Sequence, residues 1–295
     1  MTGFAKPGAL HVGVALALLA ANFLLPEYHH GAMARVLTLA VFAMGYNVMF
    51  GYAGLLSLGH ALFFAAGLYG MGLPMQHLGL AAEPAFLLGI FSGALVAAVV
   101  GALALRTAGV AFMIVTLMFA QAGYLTILYF LEYTRGDEGF VIAREARSFF
   151  GLDLASPDVR YLAAWLLFTV AMFAVLALVR SPAGRVLVAI RENEERARML
   201  GYDVARYKLG AIVVSGALCG AAGAAYGLLF GYVGATFASV QYSILPLLWV
   251  LLGGAGTVLG PLLGATFMFY LIDLSSGITD AYMLIAGAAL VALTL

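Results

Sequence analysis

The sequence predicts an all-α polytopic membrane protein with about eight to ten transmembrane helices. Hydrophobic residues make up 64% of the 295 residues and charged residues only 9%, whereas an ordinary soluble domain has about 25% charged residues. So few charges cannot cover a surface that faces water, so most of the surface must face lipid or partner subunits. A transmembrane β-barrel requires segments of about ten residues that alternate apolar and polar. Residues 87–105 are instead apolar on all sides, which excludes it.

Ten apolar runs between polar breaks are the predicted spans. About 20 apolar residues cross roughly 30 Å of hydrocarbon, and each backbone amide there must be bonded internally, so each run is predicted to be helical. The runs cover residues 8–25, 33–50, 61–80, 85–105, 109–131, 161–179, 209–231, 241–255, 257–274 and 281–295. The eighth is too short to cross comfortably. Together they form one transmembrane domain over residues 1–295, with an uncleaved first span.

Two segments carry most of the charge and predict the orientation. Residues 132–160 contain six acidic and four basic residues, and residues 180–208 contain seven basic and four acidic residues. Because Lys and Arg accumulate in short cytoplasmic loops, segment 180–208 is predicted to be cytoplasmic. Segment 132–160, one span away, is then an external loop. Counting crossings places the N-terminus in the cytoplasm and the acidic Glu83 and Asp273 outside.

Within segment 180–208, the sequence predicts one amphipathic helix. Ser181 and Pro182 are typical of a helix start, and Gly201 lies where a left-handed C-terminal cap is expected. Apolar residues recur between them at helical spacing, and charged residues cover the other faces. This helix is either a connector with a solvated charged face or a docking helix for a cytosolic partner.

Two glycine-rich segments, about 200 residues apart, interrupt the apolar helices. Their helix-breaking glycines are Gly51, Gly54 and Gly59 in the first, and Gly253, Gly256 and Gly260 in the second. Paired breaks in two halves of a transporter indicate a transport site, because unwound backbone is tolerated in a membrane only where it is buried or lines a cavity. The alternative is close helix packing, in which glycines only let backbones approach.

A different glycine pattern occurs in the seventh predicted span. Gly216, Gly220, Gly227 and Gly231 are separated by four, seven and four residues, multiples of four or nearly so, which predicts a stripe of small residues on one helix face. Such a stripe is a packing surface. It joins the chain either to a second subunit or to its own neighbouring helices. The single cysteine, Cys219, lies in the same span and is predicted to be a small buried packing residue.

Few polar side chains lie within the spans, and four of them are predicted to line a translocation path. Intramembrane polar residues usually face a bundle interior or a cavity. Asn47, Ser57, His60 and Gln121 are the predicted path residues, although His60 is also explained as a packed histidine. Thr116, Thr126 and Ser215 are discounted, because Ser and Thr hydroxyls bond readily to their own helix backbone.

Five stretches of the sequence match one known family in its order, and their combination is specific. They are residues 185–194 (RVLVAIRENE), 197–209 (ARMLGYDVARYKL), 51–60 (GYAGLLSLGH), 136–139 (GDEG) and 253–261 (GGAGTVLGP). Together they cover the chain from about Gly51 to Gly264 and resemble the LivM-type permeases, the membrane subunits of branched-chain amino acid ABC importers.

The resemblance implies a permease subunit of the bacterial inner membrane that hydrolyses no ATP itself. Its implied partners are a homologous LivH-type permease, two cytosolic ATPase subunits and a periplasmic solute-binding protein. The implied ATPase-coupling residues are Arg185, Glu192, Asn193, Glu194 and Gly201. No cofactor is expected in this chain, since ATP and Mg²⁺ are used by the partner subunits. The sequence agrees, because it has no phosphate-binding Gly-x-x-x-x-Gly-Lys-Ser/Thr run.

The implied substrate is a branched-chain or other hydrophobic amino acid, and urea or a short amide is the near alternative. An ion-coupled secondary transporter that acts alone is less favoured, because such proteins place ionisable residues at membrane depth and only His60 qualifies. An enzyme is not expected, since no nucleophile and base are spaced for catalysis. The 14 basic and 14 acidic residues balance, so nothing in the net charge indicates a nucleic-acid partner.

Overall fold

The structure is a computed structural model that describes residues 6–24, 26–277 and 287, and it confirms the predicted all-α fold. The helices are α1 (Lys6–Leu24), α2 (Glu27–Asn47), α3 (His60–Leu78), α4 (Ala82–Ala104), α5 (Val110–Tyr129), α6 (Leu131–Thr134), α7 (Pro157–Arg180), α8 (Pro182–Glu192), α9 (Glu194–Met199), α10 (Val204–Phe230), α11 (Val240–Gly253) and α12 (Gly260–Ser276). Short strands are β1 (Phe140–Val141), β2 (Ser148–Phe149), β3 (Leu152–Asp153) and β4 (Tyr232–Val233).

Five helices among the described residues are long and apolar enough to cross a membrane. They are α4, α5, α7, α10 and α2 with its continuation to Tyr52. Helix α11 has only 14 residues, or about 21 Å at 1.5 Å per residue, which agrees with the short eighth span. The predicted span 281–295 lies outside the described residues except for residue 287. The chain is therefore a multi-pass membrane protein.

Helices α2 and α10 form the centre of the bundle. Within their apolar windows 83% of α2 and 72% of α10 is buried, against 28% of α4 and α7 and 17% of α5. Helix α10 packs against α2, α3 and α4, and α2 packs against α7, α11 and α12. The outer helices expose large apolar side chains such as Leu87, Met118 and Leu166. These surfaces fit a lipid environment.

The small-residue stripe of α10 packs against helices of its own chain. A Cβ added at Gly220 would lie 2.8 Å from the carbonyl oxygen of Gly89 and 3.0 Å from Cα of Gly93 on α4. Gly223 faces the backbone of Phe64 on α3 in the same way. The sequence left two partners open for this surface, a second subunit or the neighbouring helices. The structure shows the neighbouring helices α3 and α4. Cys219 is fully buried, as predicted, with its thiol against the Phe42 carbonyl of α2.

The segment of residues 132–160 folds over one end of the bundle, which we name the loop face. Strand β1 pairs antiparallel with β4, so the segment is tied to the end of α10. Arg144 contacts Asp153 at 2.7 Å, and its hydrogen bonds hold the pKa of that carboxyl below its usual range. Glu83 accepts a hydrogen bond of 2.7 Å from the Phe150 amide. Glu83 therefore lies at the loop face, the same end of the bundle as segment 132–160, as predicted.

Segment 180–208 occupies the opposite end, which we name the α8 face. The sequence predicts one amphipathic helix here, but the chain breaks at Asn193, whose backbone is extended (φ −158°, ψ 101°). Its side chain accepts a hydrogen bond of 2.9 Å from the Arg196 amide and caps α9. Asparagine favours this cap over helix continuation. The amphipathic segment is therefore two short helices, α8 and α9, that meet at one residue.

Candidate functional site

The two glycine-rich segments lie together at the α8 face. Helix α2 ends in a single π-helical turn over Val48–Tyr52, and non-helical chain follows until α3 begins at His60. The second break separates α11 from α12, with Gly254 and Gly256 in the left-handed region (φ 96° and 79°). Single π-turns in helices are frequent at functional sites. Both predicted breaks are therefore present in the structure.

Asn47 joins the two breaks. Its Nδ2 donates a hydrogen bond of 2.7 Å to the carbonyl of Thr257, and its Oδ1 accepts one of 2.9 Å from the Gly256 amide. The side chain is fully buried. A Cβ added at Gly51 would lie 2.5 Å from the Gly256 nitrogen and would overlap Asn47 itself. Segments about 200 residues apart in the chain thus form one compact site.

Arg191, near the end of α8, reaches into this site. Its Nη1 donates a hydrogen bond to the carbonyl of Gly51. Arg191 Nη1 also lies 3.1 Å from the position that a Cβ of Gly256 would take. Arg191 Cγ lies 3.1 Å from the position that a Cβ of Gly54 would take. One side chain of α8 therefore contacts both glycine-rich segments. We name Asn47, Gly51, Gly54, Arg191 and Gly256 the junction.

The sequence reasoning missed Arg191, which it assigned to the charged face of the amphipathic helix. A signal was available. Arg191 follows the buried Leu187 by four residues, and residues four apart lie on the same helix face. An arginine in register with the apolar stripe extends its guanidinium to the bundle, as Arg191 does at the Gly51 carbonyl, while the residue as a whole stays exposed at the α8 face.

Three of the five implied coupling residues shape the segment itself. Asn193 caps α9. The Glu194 carboxylate contacts Arg198 at 2.9 Å and Lys208 at 2.5 Å, so it ties α9 to the start of α10. Gly201 is left-handed (φ 88°) and closes α9, as predicted. These contacts fix the position of α9 relative to α10.

The other two implied coupling residues face outward. Arg185 and Glu192 are exposed, and neither side chain has a hydrogen bond or ion pair with the residues that the structure describes. Both lie on α8, whose opposite face is buried through Val186, Leu187 and Ile190. Helix α8 thus presents free charges on one side and the junction arginine on another.

Three of the four predicted path residues lie in the buried interior. Asn47, Ser57 and His60 have no exposed surface. His60 Nε2 lies 3.0 Å from Ser215 Oγ on α10, so Ser215, which the sequence reasoning discounted, has a partner beyond its own helix. His60 Nδ1 is buried with no hydrogen-bond partner among the described residues. Gln121 lies apart on α5 and is half-buried.

A hydroxyl that the sequence reasoning did not single out supports the start of α3. Ser243 Oγ, fully buried on α11, accepts a hydrogen bond of 2.9 Å from the Ala61 amide. The first amides of a helix have no partner within it, and Ser243 supplies one. The break before α3 is therefore supported by polar contacts from α10 and α11.

Comparisons with known proteins agree with the resemblance seen in the sequence. The sequence profile of the family described as "Branched-chain amino acid transport system / permease component" matches residues 30–294. The high-affinity branched-chain amino acid transport system permease proteins LivM of Escherichia coli and Salmonella typhimurium are each 30% identical over 273 residues, which are 85% of this chain and 64% of those proteins.

A third relative is the probable branched-chain amino acid transport permease protein LivM of Methanocaldococcus jannaschii. It is 33% identical over 105 residues, 34% of this chain and 30% of that protein. The chain thus spans less than two thirds of the length of the relatives that it matches. No solved structure gives a significant match. Since the family profile covers most of the chain, this protein belongs to the family of permease components of branched-chain amino acid transport systems.

Proposed function

We propose that the chain is the membrane-spanning permease subunit of an ABC importer in a bacterial inner membrane. It pairs with a homologous LivH-type permease, binds two cytosolic ATPase subunits through the α8 face, and receives substrate from a periplasmic solute-binding protein at the loop face. The N-terminus and segment 180–208 are cytoplasmic, in accordance with the excess of Lys and Arg in that segment. No cofactor is bound by this chain, and ATP and Mg²⁺ act on the partner subunits.

The observation that carries this proposal is the contact of Arg191 with both glycine-rich segments. An ATPase subunit that binds the exposed side of α8 and moves it displaces Arg191 at the same time. Because Arg191 and Asn47 hold the two breaks together, that displacement acts on the ends of α2, α3, α11 and α12. Helix ends at broken segments are where transporters change their access from one side to the other.

The proposed substrate is a branched-chain or other hydrophobic amino acid. The residues proposed to line the path, Asn47, Ser57, His60 and Gln121, include no carboxylate, lysine or arginine. Such a path suits a low-affinity conduit for a zwitterion, with most of the selection made by the binding protein. Urea or a short amide is the alternative substrate class.

Reconstitution tests the transport function. Proteoliposomes that contain the complete transporter and external binding protein are expected to accumulate leucine only when ATP and Mg²⁺ are enclosed. Accumulation of urea in place of leucine would favour the alternative substrate. Uptake by this chain alone, without ATP or ATPase subunits, would establish an independent secondary transporter and overturn the proposal.

Charge reversal on α8 tests the docking surface. Glu192 is exposed and has no ion pair with the described residues, so Glu192→Lys is expected to abolish copurification of the ATPase subunits while membrane insertion persists. Glu194 is a poorer probe, since its carboxylate binds Arg198 and Lys208. The control is Glu145→Lys, an equally exposed site on the loop face. Unchanged copurification with Glu192→Lys would remove the docking role.

A further inference from the structure

Three arginines from separate parts of the chain gather at the loop face around the end of α10. The guanidinium carbon of Arg35, on α2, lies 5.0 Å from the ring centroid of Phe230, and that of Arg160, on α7, lies 5.6 Å from the same centroid. Arg147, from the loop, contacts the next residue, Gly231, where an added Cβ would lie 2.7 Å from its Nη1. We name Arg35, Arg147 and Arg160 the arginine cluster.

No carboxylate of the described residues lies within ion-pair distance of the arginine cluster. Among the described residues, none of its members forms an ion pair; the neighbouring Asp153 and Asp158 contact Arg144 and His30 instead. Arg35 and Arg147 repel the charge of Arg160, and Asp153, whose carboxylate Arg144 already holds, offsets this repulsion only in part. Like charges brought together in a partly desolvated site destabilise one another unless an anion lies between them.

Two donors of the cluster are also unused. The Nε atoms of Arg147 and Arg160 are buried and have no hydrogen-bond partner among the described residues. The hydrogen bond from Arg160 Nη2 goes to the carbonyl of Ala155, at 2.8 Å. A buried donor without an acceptor destabilises the structure. The carboxyl end of α10 explains why cations gather here, but its partial charge of about half an electron does not balance three guanidinium groups.

An aromatic wall continues from the arginine cluster into the bundle. The ring of Phe230 lies 4.7 Å from that of Tyr226, Tyr226 lies 4.9 Å from Phe237, and Phe237 lies 5.2 Å from Tyr242. Cationic donors beside a run of aromatic rings fit a ligand with a carboxylate at one end and an apolar group at the other.

We infer that Arg35, Arg147 and Arg160 bind the α-carboxylate of an amino acid at the loop-face entrance, with its apolar side chain against Tyr226 and Phe237. This inference rests on the proposed function and narrows its substrate class. Guanidinium groups bind carboxylates through paired, charge-assisted hydrogen bonds. Urea and short amides have no carboxylate, so the site favours amino acids over the alternative substrates. Arg35 is exposed, which leaves the cluster open to an entering ligand.

The test measures ligand binding to the complete transporter in lipid nanodiscs without the binding protein. By saturation-transfer NMR, L-leucine is expected to bind, and L-leucinamide, which lacks the carboxylate, to bind at least about tenfold more weakly. Arg147→Gln and Arg160→Gln are expected to weaken leucine binding by a similar factor. The matched control is Arg144→Gln in the same loop, whose guanidinium is held by Asp153; it is expected to bind leucine normally.

Further variants guard against misfolding. Should Arg147→Gln or Arg160→Gln fail to assemble, Arg35→Gln changes an exposed member, and Arg→Lys at each position keeps the charge but loses the paired geometry. Weakened leucine binding in these variants, with normal copurification of the partner subunits, supports the inference. Equal binding of leucine and leucinamide overturns it, as does normal leucine binding in every variant that assembles.

Two further outcomes separate this inference from its rivals. If the variants bind leucine normally but no longer capture the solute-binding protein, the arginines receive carboxylates of that protein, and the inference is wrong. If the wild-type transporter shows no ATP-dependent leucine uptake, the proposed function fails, whatever the arginines bind. Uptake of leucine with no effect of the variants on leucine binding leaves the function standing and removes only the carboxylate site.

Discussion

Arg191 and Asn47 satisfy backbone groups that broken helices leave without partners. The last carbonyls of a helix and the first amides after a break have no intrahelical bond. Arg191 donates to the Gly51 carbonyl, and Asn47 accepts from the Gly256 amide. In a membrane, these groups cannot be left to water. Each residue therefore stabilises an unwound segment, and Arg191 also makes that segment depend on the position of α8.

Replacing Arg191 tests whether this contact transmits motion. Arg191→Gln loses a charge-assisted hydrogen bond worth about 1.5–3 kcal/mol, so we expect the uptake rate to fall about tenfold or more. The unpaired charges of Arg185 and Glu192 on α8 remain, so the ATPase subunits are expected to copurify and hydrolyse ATP. Arg196→Gln on the exposed side of α9 is the control and should transport normally. Loss of uptake and of ATPase binding together would assign Arg191 to docking.

Gly51 is required by close approach. A Cβ at this position overlaps the Asn47 side chain and meets the Gly256 nitrogen, so Gly51→Ala is expected to lower the free energy of unfolding by about 1–3 kcal/mol, as overpacking does. At Gly210, on α10, no atom lies within 4 Å of the position that an added Cβ would take, so Gly210→Ala should raise stability by up to about 1 kcal/mol through helix propensity. Thermal unfolding in detergent measures both. A stable Gly51→Ala variant would contradict the tight junction.

At the scale of elements, the sequence predicts what depends on a few neighbouring residues. The cap at Gly201 is predictable because glycine adopts the left-handed backbone that such a cap requires. The stripe on α10 is predictable because it depends only on the spacing of small residues along one helix. The partners of that stripe depend on how distant helices pack, so the sequence leaves open whether α3, α4 or another subunit fills that place. The break at Asn193 arises because its side chain caps α9 instead of allowing α8 to continue. The apolar spacing continues across Asn193, so the sequence predicts one helix there.

Helix α9 is expected to depend on its cap. Asn193→Ala removes the acceptor for the Arg196 amide and should destabilise the start of α9 by about 1 kcal/mol. Hydrogen exchange of the amides in Glu194–Met199 is expected to accelerate, while α8 stays protected. Asn193→Asp keeps an acceptor and serves as the control. Equal exchange in both variants would mean that the ties from Glu194 to Arg198 and Lys208 are sufficient to hold α9.

At the scale of the whole molecule, the positions of Lys and Arg predict sidedness, but the net charge of a segment hides its local chemistry. The count over residues 132–160 is acidic, and it leads to the expectation of an acidic outer surface. The structure turns Arg147 and Arg160 of that segment towards Arg35 on α2, so a cationic cluster lies beneath an acidic loop. The net charge of a segment does not reveal such a cluster, because the cluster depends on which side chains face the bundle.

The orientation of the chain in the membrane can be tested by thiol labelling, because the single native cysteine is not expected to react. Cys219 is fully buried, so the unmodified protein is expected to resist a membrane-impermeant maleimide. Asp137→Cys places an exposed thiol on the loop face, and Glu195→Cys places one on the α8 face. If the loop face is external, intact cells label the first variant at once and the second only after permeabilisation. The reverse pattern would invert the proposed topology, and with it the assignment of α8 to the ATPase side.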